Sequence, residues 1–303
     1  MKRCSPKYRV LMLFCSNAVL RAIGFAYRAA LLSCAGSGAL GLYSLVMQVY
    51  AVIGAICVYG SVPVVTSFAA RTEREGMRAL LFDALKMLIV LWGICSFTVL
   101  VFGKRIGNDL FHDPDSWRAL IPMLVCILLT GIENALKSIH MGSGHFSICA
   151  FSELTEQCIR CAAVTFLIKR AIPSSYSDTV TLIILGMVVS ELFSVSILSV
   201  SFARLFPKKR IKTTNGDMKA LFKASSPAIM NALSGTLFSS AGALLLPTEL
   251  MRWGMDRQDA FTSIPKVLYG LSDMSSNMQS ISVKITHFFE NIPHGKKKGA
   301  LPE

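Results

Sequence analysis

The sequence predicts an all-α polytopic membrane protein with about seven to eight transmembrane helices, on two observations. Hydrophobic residues fill 53% of the 303 positions and charged residues only 16%. The charges also cluster between long apolar runs, whereas a soluble amphipathic helix would interleave them. A formal charge of +13 would suit nucleic acid, but its distribution argues against such a partner. The basic residues collect at alternate ends of the apolar runs, as on a chain that crosses a lipid bilayer repeatedly.

At about 20 residues per span, the runs fall at residues 10–32, 40–69, 79–102, 117–139, 147–168, 179–203 and 226–247. Lys2, Arg3, Lys7 and Arg9 precede the first run. That run is too long for a signal-peptide core and reads as retained. Within it Asn17, Arg21, Gly24 and Arg28 recur at intervals of four, three and four, which sets them along one helix face. Arg21 lies near the middle, where a charge costs about 2.5–3.5 kcal/mol on insertion scales, so this face must meet something other than lipid. The two guanidinium groups, separated by about 10 Å along the helix, suit a diphosphate-sized group or two acidic partners. Permanently charged planar forks favour phosphate or carboxylate over cations. The structural alternative is that Arg28 snorkels to the outer interface while Arg21 neutralises a buried acid.

The second run follows a Gly- and Ser-rich connection, Ser33 to Ala39, and contains Gly60 and Pro63, which predict a break or a kink. Arg71, Arg74 and Arg78 close it. The third run ends at Lys104 and Arg105, followed by Asp109, Asp113 and Asp115, read as a solvated loop. In the fourth, Pro122 lies near the outer end, and Glu133 and Lys137 have the spacing of a local ion pair. A short turn at His140 to His145 leads to the fifth run, which carries Glu153, Glu156, Gln157 and Arg160. Glu156 and Arg160 are four apart in the favoured order for an internal pair. Glu153, Gln157 and Arg160 share a face that could line an aqueous cavity. The sixth run holds Glu191 with no basic residue within a helical turn or two, so it requires a partner from another helix. Arg21, at a similar depth, is the expected one.

Arg204, Lys208, Lys209, Arg210, Lys212, Lys219 and Lys223 then form the one long basic connection. By the positive-inside rule this loop and the N-terminus are cytoplasmic. The expected organisation is a six-helix lobe over 1–205, a cytoplasmic linker over 206–225, helix seven with a polar eighth helix over 226–290, and a basic tail over 291–303. The nine cysteines are scattered mostly within apolar runs, which disfavours a disulfide framework, and Cys158 and Cys161 read as buried thiols. The histidines lack ligand spacing, so no metal site and no cofactor are expected.

Several segments, taken together, resemble a known family. The run NAVLRAIGFAYR, Asn17 to Arg28, is followed by GLYSLVMQVYAVIGAICVYGSVPVVTSFAARTE, Gly41 to Glu73. SELTEQCIR from Ser152, GMVVSELFS from Gly186 and SPAIMNALSGTLFSSAGALLLPTELMRWGMDRQDA from Ser226 continue the pattern to Ala260. These resemble the stage V sporulation protein B branch of the polysaccharide and peptidoglycan-precursor flippases, within the multidrug/oligosaccharidyl-lipid/polysaccharide superfamily. The resemblance implies a multi-pass protein of the bacterial cell membrane that moves an undecaprenyl-diphosphate-linked saccharide between leaflets by alternating access. Arg21 and Arg28 correspond to cavity arginines, although related lipid II flippases have an Arg-Asp pair late in helix one where this chain has Arg28 and Ala29. Asn17, Glu153, Gln157, Arg160 and Glu191 complete the expected substrate-binding set. Such carriers have two lobes, so the chain reads as a truncated member comprising the first lobe and the start of the second. No bond is made or broken in that activity, and no catalytic residue is assigned. The competing expectations are a cation-coupled multidrug exporter of the same superfamily and a non-transporting membrane protein.

Overall fold

The computed structural model describes residues 6–111, 115–171, 173, 175–206 and 215–252, with the side chains of 6–17, 37, 110, 215–218 and 241–252 left out of the description. The described chain is helical with short connections: α1 Pro6–Gly54, a π-helical turn Ala55–Tyr59, α2 Val62–Arg71, α3 Met77–Arg105, a second π-helical turn Ile106–Leu110, α4 Trp117–Gly142, α5 Phe146–Ala171, α6 Tyr176–Leu205 and α7 Asn215–Arg252.

Apolar runs of this length become helices because a bilayer offers no partner for backbone N–H and C=O groups, which a helix satisfies internally. The expected turn at Ser33 to Ala39 contracts to one residue. Gly36, at φ 78°, is the non-helical point inside α1, and it divides the helix into two arms. A residue with a side chain strains at that φ, whereas glycine tolerates it. The break expected from Gly60 and Pro63 is a π-helical turn that ends at Tyr59, with Pro63 in the first turn of α2, where its missing N–H has no helical partner to lose. The α4–α5 turn closes on Gly144 at φ 82°.

Among the described residues, five stretches are long and apolar enough to cross a membrane: Ala18–Gly36, Gly38–Arg71, Met77–Asp109, Trp117–Gly142 and Tyr176–Leu205. This supports an all-helical membrane protein and recovers five of the seven expected spans. α5, at 26 residues, is long enough but carries Glu153, Glu156 and Arg160 within its apolar stretch. α7 is outside the set among the described residues.

α4 is the centre of the bundle. Its apolar window is 56% buried, against 22% for α3, which turns Ile89, Ile94, Phe97, Leu100 and Val101 outward as a lipid-facing helix does. The main core joins Leu45 and Val46 of α1 to Met123 and Ile127 of α4 and to Val180 and Ile184 of α6. A second core at the opposite end packs Val65 and Ala69 of α2 against Leu136 and Ile139 of α4 and Phe202 of α6.

The boundary expected at 206–225 differs from the structure at its far side. α7 begins at Asn215, so much of the expected linker is helix, and α7 lies against α1, α2, α3 and the first π turn. Leu221 joins the second core, and Ser240 Oγ donates to Gln48 Oε1 at 2.9 Å. The segment named as the start of another lobe therefore packs on the first. The eighth helix and the basic tail lie outside the described residues.

Candidate functional site: a buried charge cluster and an open arginine face

α4, α5 and α6 meet around six ionisable side chains. Within α4, Glu133 and Lys137 form the pair their spacing predicts, with Nζ 2.8 Å from Oε1. Lys137 also reaches across to α5, 3.4 Å from Glu153 Oε1 and 3.6 Å from Glu156 Oε2. Within α5, Arg160 donates from Nη2 to Glu156 Oε1, the internal pair also expected from spacing. The same nitrogen lies 3.2 Å from Glu191 Oε1 on α6, and Nε donates to Ser190 Oγ at 3.3 Å. Ser190 Oγ in turn donates to the Met187 carbonyl.

Glu191 thus obtains the partner from another helix that its isolation in the sequence demanded, but that partner is Arg160. The expected contact with Arg21 is not formed: the Arg21 side chain is exposed on the N-terminal arm of α1. Depth along two helices did not determine azimuth. Arg160 sits on a helix packed directly against α6, whereas the α1 arm meets the bundle through Tyr27 and Leu31. Glu153 and Arg160 also divide differently from the shared face expected of them. Glu153 faces Lys137, and Arg160 faces Glu156 and Glu191. Gln157, between them, is half-buried.

Serines complete the cluster. Ser194 Oγ donates to Glu133 Oε1, and Ser152 Oγ lies 2.5 Å from Ser194 Oγ. Because Ser194 spends its proton on the carboxylate, Ser152 must donate to Ser194. These serines do not stand out in the sequence. Their signal was the helical register that sets Ser190 and Ser194 beside Glu191, and Ser152 one turn before Glu156. Glu133, Glu156 and Glu191 are only 2%, 6% and 3% exposed, and one oxygen from each lies within 4.8 Å of the others. Lys137 and Arg160 flank these oxygens, an arrangement suited to holding charge and poorly suited to a multivalent metal ion.

The second feature is the stripe on the N-terminal arm of α1. Tyr27 and Leu31, four apart, pack against Val164 and Ile168 of α5 and Ile183 of α6. Positions 21, 24 and 28 lie roughly a quarter-turn away around the helix. Arg21 and Arg28 are exposed, and a Cβ built on Gly24 would meet nothing within 4 Å. Asn17 lies on the same helix, but its side chain falls outside the described ones. Only 11% of this arm's apolar window is buried, so the face with the arginines is open. Ile23 of the arm, with Cys158, Cys161, Phe166 and Lys169 of α5, lines an open groove beside it. Both cysteines are free thiols, and Cys158 is exposed instead of buried as expected.

The structure separates six of the seven expected substrate-binding residues into two groups, the Asn17 side chain lying outside the described ones. Glu153, Arg160 and Glu191 enter the buried cluster, with Gln157 on its edge, whereas Arg21 and Arg28 stand on the open face. Comparison with models of protein families, with curated proteins and with solved structures returns no match.

Proposed function

We propose that the chain is a flippase-type carrier of a lipid-linked saccharide diphosphate in the bacterial cytoplasmic membrane, with its N-terminus in the cytoplasm. The observation that carries this reading is the pair of exposed arginines on an open, apolar membrane helix. Glu191 takes its cation from Arg160, so Arg21 is not consumed as its counter-ion. A guanidinium retained in an apolar segment without that structural duty is a candidate for ligand recognition. Two guanidinium groups about 10 Å apart on one helix match a diphosphate with its first sugar better than a single carboxylate. The groove beside Ile23 supplies apolar surface next to these charges for an isoprenoid chain. Alternating access of this bundle against a second wall would carry the head group across.

Binding tests the reading directly. Purified protein in nanodiscs should bind undecaprenyl-diphosphate-linked saccharide, and an Arg21→Ala, Arg28→Ala double variant should lose about 100-fold or more in affinity, as expected when two charge-assisted contacts worth about 1.5–3 kcal/mol each are removed. Equal affinity in the two proteins would reject the arginine face as the binding site. A cation-coupled exporter is the second reading, favoured by the acidic surplus of the buried cluster. That reading requires affinity for lipophilic cations that does not depend on Arg21 or Arg28.

A further inference from the structure

The buried cluster does not balance in charge. Lys137 and Arg160 supply two permanent or near-permanent positive charges, whereas Glu133, Glu156 and Glu191 are buried and Glu153 contacts the same lysine with a side chain 38% exposed. Even with Glu153 assigned to solvent, three carboxylates face two cations. An uncompensated charge in a low-dielectric interior is strongly disfavoured. A separate observation locates the deficit. Glu191 Oε1 accepts from Arg160, but Glu191 Oε2 is buried without a hydrogen-bond partner among the described residues. The neighbouring acids are close: one carboxylate oxygen each of Glu133, Glu156 and Glu191 lie within 4.8 Å of one another. Two ionised carboxylates offer only acceptors to each other, so nothing joins them until one carries a hydrogen.

We infer that Glu133 and Glu191 share one exchangeable proton, carried on Glu191 Oε2 and donated to the Glu133 carboxylate, so that this helix triad is a proton-binding site within the membrane. The proton makes Glu191 Oε2 a donor, removes the orphaned oxygen and brings the buried cluster to neutrality. A sodium ion would meet the same charge requirement but would have to sit beside the Lys137 ammonium and the Arg160 guanidinium, whereas a proton needs no coordination shell. Other titratable groups face this pair from the neighbouring elements: Tyr50 from α1, Tyr59 from the π turn, Cys126 and Lys137 from α4, and Glu156 and Arg160 from α5. Tyr43 of α1 lies nearer Arg160, and Glu153 of α5 contacts Lys137. Glu153 is the partly exposed member, and through Lys137 it links the site to the outside of the bundle. The inference stands whatever the carried substrate is.

Infrared difference spectroscopy on the whole chain in nanodiscs reads the proton directly. The wild type should show a protonated-carboxyl C=O band at neutral pH that shifts in D₂O. The band should vanish in Glu133→Gln and in Glu191→Gln, because either change leaves two carboxylates for two cations. Asp83→Asn, the control at a buried acid on α3 that pairs with Lys86, should keep it. Circular dichroism and gel-filtration elution confirm that each variant is folded. If one variant fails to fold, the wild-type band and the other variant still decide. Absence of the band in the wild type overturns the inference, as does its survival in either glutamine variant. Its loss on adding sodium at constant pH also overturns it, by giving the site to the metal ion. A failure of lipid binding would leave this band untouched, and loss of the band would leave lipid binding untouched.

Discussion

Arg160 holds the cluster together, because its guanidinium forms the ionic tie from α5 to α6 while also satisfying Glu156 on its own helix. Arg160→Met should cost about 3–5 kcal/mol of stability, the range for removing one partner from a buried pair. Adding Glu191→Gln to that variant should recover part of the loss, since it neutralises the acid left stranded. Thermal unfolding in detergent of the two single variants and the double measures the coupling, and simple additivity would contradict it. His145, in the turn outside the membrane, gives a different kind of test. Burial, assisted by the nearby Arg74, holds its imidazole below its ordinary titration range. A depressed value means that the folded chain favours the neutral ring. Its contribution to stability is therefore complete above the unfolded pKa, about 6.5, and declines as pH falls through the lower folded value. His145→Gln should flatten the acid limb of the stability profile there, and an unchanged limb would assign that limb to other groups. At this scale the sequence revealed the local pairs well. Glu133 with Lys137 and Glu156 with Arg160 follow from intervals of four. The inter-helix contact of Glu191 was predictable as a need but not as a pairing, because linear spacing carries no information on which helix lies opposite.

Two element pairs depend on close approach at a glycine, α4 with α2 and the first π turn with α7. A Cβ on Gly142, in the last turn of α4, would lie 2.6 Å from both the Thr66 carbonyl oxygen and the Ala69 Cβ of α2. On Gly60, beside the first π turn, a Cβ would lie 2.4 Å from Ile229 Cα of α7. Gly142→Ala and Gly60→Ala should each destabilise by about 1–3 kcal/mol, the usual cost of overpacking, because backbone atoms rather than flexible side-chain ends stand in the way. Gly24→Ala, with open space around it, should leave the unfolding midpoint unchanged. A loss at Gly24 as large as those at Gly60 and Gly142 would mean that the α1 stripe is covered by part of the protein. The helices were legible because apolar runs of span length have few alternatives in a membrane. Their ends were less so. Gly36 reshapes a predicted loop into a single-residue break, and Asn215 starts a helix inside a run of charge that reads as linker, since charge density alone does not distinguish an exposed helical turn from a loop.

For the molecule as a whole, the five apolar stretches, the lipid-facing surface of α3 and the inward-facing charges of α4–α6 together describe a membrane bundle with a polar interior. The stripe of Arg21 and Arg28 is the counterpart on its outside. That contrast was only half legible from the sequence. The residue types and their spacing identified both polar stripes, yet placed them in one site, because nothing in a linear pattern says that Tyr27 and Leu31 bring the arm to the bundle with its arginines about a quarter-turn to one side. The central claim is that those arginines carry a diphosphate head group across the bilayer. Translocation of a fluorescent undecaprenyl-diphosphate-linked saccharide in proteoliposomes tests it most directly. The wild-type chain should move the lipid faster than protein-free vesicles, and Arg21→Ala with Arg28→Ala should bring the rate down to that background without lowering the unfolding midpoint. A folded wild type that moves no lipid, or a double variant that moves it equally fast, would contradict the claim.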